Sequence, residues 1–350
     1  MAHFIILVAD GTLAGSVGAS LDILAFARRC GAPAERVAWQ VASARPQVAL
    51  SGGMALAATP VEHLKMAPDA VLVIPGIGLD ASAPHGTDGG LSGGATINER
   101  YAESHLLWRM QASDAQAYAG LAAAHHAAGG VVAASCSGVL LLGMAGLLDG
   151  RRATTHWRLG DFVRRHFGKA LFDENRMLVE DHRVISAGAA MAQVDLMLHL
   201  VQQAVGGAAG EAVVQHVMRY LLVDSRSSQA RYRVWEHLHA SEDDTAMRFE
   251  ALIEARLPHV PTIADAAETL GMTSRTLSRR IAASTGAAPL QLVNMVRMRH
   301  AQRLLAQGDL SVDAVARRVG YANGTALRKL TLKMAQQPPG VLRHGMESPQ

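Results

Sequence analysis

Two groupings of residues in this chain carry chemistry. The first is Ala134-Ser135-Cys136-Ser137-Gly138. A thiol with small residues at both second neighbours suits a sharp strand-to-helix elbow, which presents a nucleophile at a helix N-terminus. There the helix dipole would lower the thiol pKa. His156, in Thr154-Thr155-His156-Trp157, is the candidate partner base. The same residues also fit a buried small thiol and a hydrogen-bonded histidine, and spacing alone favours that plainer reading. The second grouping is cationic. Ser274 to Ser284 holds Arg275, Arg279 and Arg280 with no acid, and Gly324 to Met334 holds Arg328, Lys329 and Lys333 with no acid. Small polar residues reach base edges in a DNA major groove while flanking cations neutralise phosphate. Ser274, Arg275, Thr276, Ser278, Arg279, Arg280, Thr325, Arg328, Lys329 and Lys333 are therefore the candidate DNA contacts.

The elements that must position these groups follow from periodicity. In the front of the chain, His3–Val8, Ala70–Ile74 and Val131–Ala134 are short apolar strands, with Val37–Ser43 and Arg183–Ala187 as weaker ones. Helical stretches lie between them at Ser20–Cys30, Tyr118–Ala128 and Val139–Leu148. This alternation predicts an α/β domain, a parallel sheet with helices on both faces. Ligands of such sheets sit at the carboxyl ends of the strands. Three loops fall there: Asp10–Ala19, Pro75-Gly76-Ile77-Gly78 and Ser135–Gly138.

In the back, the chain matches itself at an offset of 49 residues. Ile263 falls on Val312, Ala267 on Ala316, Gly271 on Gly320, Thr276 on Thr325, Arg279 on Arg328 and Arg280 on Lys329. Each copy reads as a helix, a turn at glycine and a second helix. Thr262, Thr273 and Ser311 are placed to cap, and Asp265 favours its helix N-terminus. Pro289–Gln307 reads as one long helix holding the copies apart. The expected fold of this part is all-α with two helix-turn-helix units, able to enter successive major grooves roughly 34 Å apart.

Composition sets the frame. A chain of 350 residues and 37.0 kDa, 49% hydrophobic and 18% charged, suits two domains with a sizeable core and is not disordered. Aromatics at 4% argue against a sugar-binding or base-stacking RNA surface. Cys30 and Cys136 make no disulfide framework, so the chain reads as a reduced, cytosolic protein. Its first residues lack the basic region of a signal peptide. Ala127–Leu148 carries no charge, but its glycines and serines predict a broken strand–turn–helix and not a membrane span.

Charge divides the chain. Ala246–Gln350 holds 14 Lys and Arg against 7 Asp and Glu, leaving 19 against 23 in front, which points to a polyanion partner for the back alone. Ser241-Glu242-Asp243-Asp244-Thr245 suits a linker. The expected domains are 1–204, a connecting segment 205–245, and 246–350. Leu79–Asn98, with His85 and Asp88, is a Gly-rich stretch that could cover the cleft. No Lys-Ser/Thr follows its glycines, so it is no phosphate loop. His125-His126 reads as the polar side of a helix. No metal set has credible spacing, and no cofactor is expected.

Residues 247–344 resemble the AraC/XylS-type DNA-binding domain. The likeness rests on Ala267…Leu270-Gly271-Met272-Thr273-Ser274-Arg275-Thr276-Leu277-Ser278-Arg279-Arg280 and on Arg297-Met298-x-x-Ala301-x-x-Leu304-Leu305…Ser311-Val312-x-x-Val315-Ala316-x-x-Val319-Gly320-Tyr321. Leu327 stands where that family usually has Phe, Gln336 where it has Gly, and Leu342 where it has Tyr.

Residues 3–200 resemble the PfpI/ThiJ-type, class I glutamine amidotransferase-like superfamily. Cys136-Ser137-Gly138…Ala145-Gly146-Leu147-Leu148-Asp149-Gly150-Arg151-Arg152-Ala153-Thr154-Thr155-His156-Trp157 is closer still to the sensor domain of GlxA-type regulators. So are Val184–Gly188, Asp195–Val201 and Arg226–Tyr232. In superfamily enzymes an acid from the first strand–helix loop contacts the cysteine, and alignment through Asp22 puts Ser16 there. The resemblance thus implies a binding cleft that kept the elbow and lost the chemistry, lined by Ser16, Gly76, Ile77, Cys136, Ser137, His156 and Trp157. It implies a small-metabolite effector of the amino-acid or quaternary-amine kind. A quaternary ammonium would need aromatic walls, and Trp157, Trp108 and Tyr101 are the ones available.

The resulting expectation is a cytoplasmic, homodimeric transcription regulator, an activator that meets promoter DNA and RNA polymerase and is not an enzyme. Residues 205–245 are the natural place for dimer contacts. The alternative is a PfpI-like cysteine enzyme of the hydrolase or amidotransferase class that uses Cys136 and His156. In a third reading the front half only dimerises.

Overall fold

The computed structural model describes residues 3–79, 101–223, 226, 229, 244–285, 288–306, 309–335 and 338–340. Its contacts divide into two compact units, Met1–Gln229 and Ala230–Gln350.

The front unit opens with β1 (Phe4–Leu7), α1 (Ala14–Arg29) and β2 (Trp39–Ser43). A small hairpin follows, β3 (Gln47–Ala49) with β4 (Ala55–Ala57), then the two-residue β5 (Thr59–Pro60) and β6 (Val71–Ile74). Next come α2 (Glu103–Gln111), α3 (Ser113–Ala127), β7 (Val131–Ser135) and α4 (Val139–Met144). After β8 (Arg152–Ala153), α5 (Gly160–His166) and β9 (Leu171–Phe172), the unit closes with β10 (Leu178–Asp181), β11 (Val184–Ala187), α6 (Ala192–Val205) and α7 (Gly207–Leu221).

The main sheet runs in the order β10-β11-β7-β6-β1-β2-β5. All its pairs are parallel except the antiparallel β10–β11 pair at one edge. Every residue of β1 is buried, and alternation splits them between faces. Phe4 and Ile6 join one core with Ile23 and Leu24 of α1, Leu196 of α6 and Val213 of α7. Ile5 and Leu7 join the other with Leu106 of α2, Tyr118 of α3, Leu140 of α4 and Phe162 of α5. Helices therefore cover both faces, as the alternation predicts.

Three differences from the sequence reading matter. α1 begins at Ala14, which moves Ser16 out of a loop and into the first helical turn. Gly15 and Gly18 dilute the helical signal there. His125 is buried, not on the polar side of α3: its Nε2 lies 2.7 Å from the Ala70 carbonyl, and the ring fills the space a side chain at Gly130 would need. His126 is half-buried, its Nε2 3.1 Å from the His182 carbonyl. Third, Gly207–Leu221, read as part of the connecting segment, packs on α6 and α1 and sends Val213, Val214 and Val217 into the front core.

The back unit is helical: α8 (Thr245–Ala255), α9 (Ile263–Thr269), α10 (Ser274–Thr285), α11 (Pro289–Ala306), α12 (Val312–Arg318) and α13 (Gly324–Ala335). It has two cores. Phe249, Ile253, Ala266, Ala267, Leu277 and Ile281 enclose the first with Leu292, Val293 and Val296 from the front half of α11. Val315, Ala316, Val319, Leu327 and Leu330 enclose the second with Met298, Ala301 and Leu305 from its rear half. With 18 residues, α11 is a rod of about 27 Å shared by both cores. Among the described residues no helix is long and apolar enough to cross a membrane. The uncharged Ala127–Leu148 becomes the end of α3, β7, the elbow and α4. Leu79–Asn98 beyond its first residue, Glu242 and Asp243 in the acidic linker, Gln336 and Leu342 lie outside the described residues.

Candidate ligand cleft and nucleic-acid interface

Cys136 follows β7 directly and adopts φ +52, a left-handed conformation that a non-glycine residue takes at some cost. That is the elbow anticipated from the small neighbours. The reason for Gly138 is steric: a Cβ there would lie 2.4 Å from the Ile74 carbonyl oxygen. Strand β6 therefore passes too close for any side chain. Gly78, at φ +73, lets its loop meet the Asp10 carbonyl in the same way, which brings the first two loops together.

The thiol is not activated. Cys136 is 8% exposed. Burial pushes its pKa up to about 11, against the weaker pull of the Ser137 backbone, the Tyr101 and Ser137 side chains and the Ala190 backbone. The anticipated lowering by the helix end is overturned by desolvation. His156 is equally withdrawn: burial, and then the Arg158 charge, hold it down to about 3, so the ring is neutral. Its Nδ1 accepts the Arg158 amide at 3.1 Å and caps the short turn Trp157–Leu159. Among the described residues no hydrogen bond joins Cys136 to His156. Tyr101 stands between their roles, leaning on the thiol and stacking on the His156 ring at 5.0 Å. Trp157 covers the same ring at 4.2 Å, while Trp108 stacks on His105 at 5.3 Å.

The remaining residues expected to line the cleft are held by a polar network. Ser137 Oγ accepts the Ile77 amide at 3.3 Å and sits 3.2 Å from where a Cβ of Gly76 would be. A backbone donor that could face a developing oxyanion is thus already occupied. The buried Ser16 donates to the Ala190 carbonyl at 3.0 Å, and no hydrogen bond reaches Cys136 from it among the described residues. Asp10, the acid nearest this loop, is turned away toward Arg45 and the Ala49 amide.

Sequence reasoning missed the residues that complete the network. Gln193 is fully buried, accepts from Ser135 at 2.7 Å and donates to Ser20 at 2.9 Å. Thr155 Oγ1 donates to the Cys136 carbonyl at 2.8 Å. Gln229, also buried, bonds Thr155 and Ala189.

In the back unit, Thr262 and Asp265 form a full capping box, and Ser311 caps α12. Gly271 and Gly320 make the turns at φ +72 and +82. The offset of 49 holds to these glycines and then grows to 50. Thr273 accepts the Thr276 amide at 3.2 Å, whereas its counterpart is Asn323, which accepts the Ala326 amide at 3.1 Å. Buried Leu277 and Ile281 match buried Leu327 and Thr331. The second turn thus contains one extra residue. Its Tyr321 is anchored on α11 through Asn294 at 3.1 Å and lies under Arg297 at 4.8 Å.

The pairing of Arg279 with Arg328 is corrected accordingly: Arg279 matches Lys329, Ser278 matches Arg328, and Arg275 matches Thr325. Arg280, whose counterpart is the core residue Leu330, reaches back to Thr245 at 3.4 Å. Ser274, Arg275, Arg279, Thr325, Arg328 and Lys329 are exposed, with Thr276 and Ser278 half-buried. Lys333 falls in the last turn of α13, and its side chain lies outside the described residues.

Comparison with known proteins agrees with both units. The Helix-turn-helix domain profile matches residues 266–345, and the DJ-1/PfpI family profile matches residues 108–203. The chain is 29% identical over 187 residues to the HTH-type transcriptional regulator CdhR of Pseudomonas aeruginosa, covering 53% of this chain and 54% of that protein. It is 26% identical over 210 residues to the HTH-type transcriptional regulator GlxA of Rhizobium meliloti, covering 59% and 63%. The chain thus spans somewhat more than half the length of these relatives. A shorter stretch of 75 residues, 21% of this chain and 32% of the other, is 39% identical to an isonitrile hydratase of Pseudomonas putida. An AraC-type helix-turn-helix region behind a DJ-1/PfpI-type region is thus what this chain shares with these regulators.

Proposed function

We propose that the chain is a sequence-specific DNA-binding transcription regulator, governed by a small metabolite held in a non-catalytic cleft of its front unit. The observation that carries this reading is the pair α10 and α13. They are capped alike, flank one shared rod, and turn exposed cations and small polar residues outward on matching faces. Helices of this kind read base edges with their first turns and hold phosphate with their cations.

The cleft supports binding over chemistry. Its thiol is protonated at neutral pH, its histidine is neutral and spent on a cap, and the Ile77 amide is taken by Ser137. Tyr101 and Trp157 offer aromatic faces beside His156, which suits an effector of the amino-acid or quaternary-amine class. For control to be allosteric, the effector must bind the DNA-competent arrangement more tightly than the other. We place the protein in the cytoplasm as a homodimeric activator that meets RNA polymerase.

The test is selection of bound fragments from sheared genomic DNA by the purified chain at physiological salt. A few fragments sharing one motif support the regulator, and random recovery refutes sequence-specific binding. A cysteine enzyme using Cys136 and His156 is the second reading, favoured by the elbow itself and by the stretch similar to isonitrile hydratase. Cys136→Ala separates the two. A regulator keeps its DNA selection and its response, whereas an enzyme loses turnover.

A further inference from the structure

The last residues of the front unit are tied to the back of the elbow. Gln229 is the final residue of that unit and is 1% exposed. Its amide oxygen accepts the Ala189 N–H at 2.9 Å, and its amide nitrogen donates to the Thr155 carbonyl at 2.8 Å. Its own backbone N–H donates to the Asn175 carbonyl at 3.0 Å. The side-chain nitrogen also donates to Thr154 Oγ1 at 3.3 Å, and the two closer partners lie one step from the backbone of Cys136. Thr155 donates through Oγ1 to the Cys136 carbonyl at 2.8 Å, and the Gly188 carbonyl, beside Ala189, accepts the Cys136 amide at 2.8 Å. Gly188 leaves the space that the Gln229 side chain fills, since a Cβ there would lie 2.3 Å from its Oε1.

Three residues earlier, Arg226 grips Asp195 of α6. Its backbone N–H donates to Oδ1 at 3.0 Å and its Nη2 to Oδ2 at 2.6 Å, and Nη2 also donates to the Met191 carbonyl at 2.5 Å. A buried amide with both ends satisfied is costly to strand, because each lost partner leaves a desolvated group. Arg226 and Gln229 are therefore seated on α6 and on the loops that bond the backbone of Cys136.

We infer that Arg226 and Gln229 form a latch through which occupancy of the Cys136 cleft is passed to the DNA-binding unit. This rests on the regulatory reading above. A ligand that shifts Thr155 or the 188–190 loop changes the seat of Gln229, and Gln229 is the residue after which the chain leaves the front unit. Coupling is reciprocal, so binding of DNA must in turn alter the surroundings of Cys136. That makes the latch testable with no effector in hand.

The experiment uses the full chain carrying Cys30→Ser and a duplex that this chain selects from a random-sequence pool. The labelling rate of Cys136 by methyl methanethiosulfonate is measured with and without saturating duplex. With the latch intact the rate changes by about five-fold or more, the lower end of ordinary coupling. With Gln229→Ala the change falls below about two-fold while the duplex is still bound. Gly188→Ala unseats the same side chain from the opposite side and leaves Arg226 and Gln229 themselves unsubstituted, so it decides the matter should Gln229→Ala fail to fold. An equal shift in the variants, or no shift in the intact protein although it binds its duplex, overturns the latch. Failure to select any duplex overturns the regulator reading itself.

Discussion

The ionisation of Cys136 decides between a binding cleft and a catalytic one, and its consequence can be worked in numbers. Burial raises the thiol from 9.0 to about 11. At pH 8 and below the thiolate fraction then falls about 100-fold relative to an unperturbed cysteine. A more basic thiolate is intrinsically more nucleophilic, with a Brønsted slope of about 0.4–0.5, which returns roughly 6- to 10-fold over two units. The net expectation is labelling by methyl methanethiosulfonate about 10-fold or more slower than in the same chain unfolded in denaturant, before any further slowing because Cys136 is 8% exposed. The assay is the labelling rate of a Cys30→Ser protein from pH 6 to pH 10, read by intact mass. The rate must rise about ten-fold per pH unit across that range without levelling. A plateau at or below pH 8, or labelling faster than in the unfolded chain at neutral pH, would mean an activated thiolate. Either result refutes the non-catalytic cleft and revives the cysteine enzyme.

Other outcomes follow from the same structure. His156 is held to about 3 when folded, while the unfolded side chain titrates near its ordinary 6.5. The unfolded state therefore binds the extra proton, and the front unit loses about 1.4 kcal/mol per pH unit as pH falls below 6.5 toward 3. Denaturant titrations of His156→Gln should lack that component, and an identical pH dependence in both proteins would count against it. In the back unit, Leu327→Ala should cost about 2–5 kcal/mol because Leu327 is fully buried. Its neighbour Ala326 is half-buried and tolerates enlargement better. A larger loss at Ala326→Leu than at Leu327→Ala, by urea unfolding, would restore the offset of 49. On DNA, Arg279→Ala, Arg328→Ala and Lys329→Ala should each weaken binding and reduce the salt slope by about one. Arg280→Ala should do less, since that side chain reaches back to Thr245. Unchanged binding in the first three would sink docking through both helices.

What could be read from the sequence, and what could not, divides along the range of the forces involved. The elbow was legible because its requirement is local: Cys136 at positive φ needs small neighbours, and Gly138 is the residue a passing strand leaves room for. The two helix-turn-helix units were legible for the same reason, since their caps and glycine turns are set within a few residues. The slip from 49 to 50 was hidden by chemistry. Arg279-Arg280 and Arg328-Lys329 are paired cations, so Arg279 still falls on a cation, Lys329, when the register moves by one. The Asn323 cap on the Ala326 amide, and burial with Leu327 inside and Arg328 outside, break that degeneracy.

The buried thiol is the plainer of the two readings that spacing offers, but the direction of its titration is not local: a helix end is written in the neighbouring residues, whereas desolvation is the work of the whole fold around it. The polar network was the least legible of all. Gln229 meets Thr155 across 74 positions, and Gln193 meets Ser20 across 173. Neither glutamine sits in a pattern that distinguishes it from a surface residue. A buried amide acquires its role from whichever carbonyls and amides the topology brings to it. For this chain, those belong to the loops around Cys136, which meet only in the folded structure.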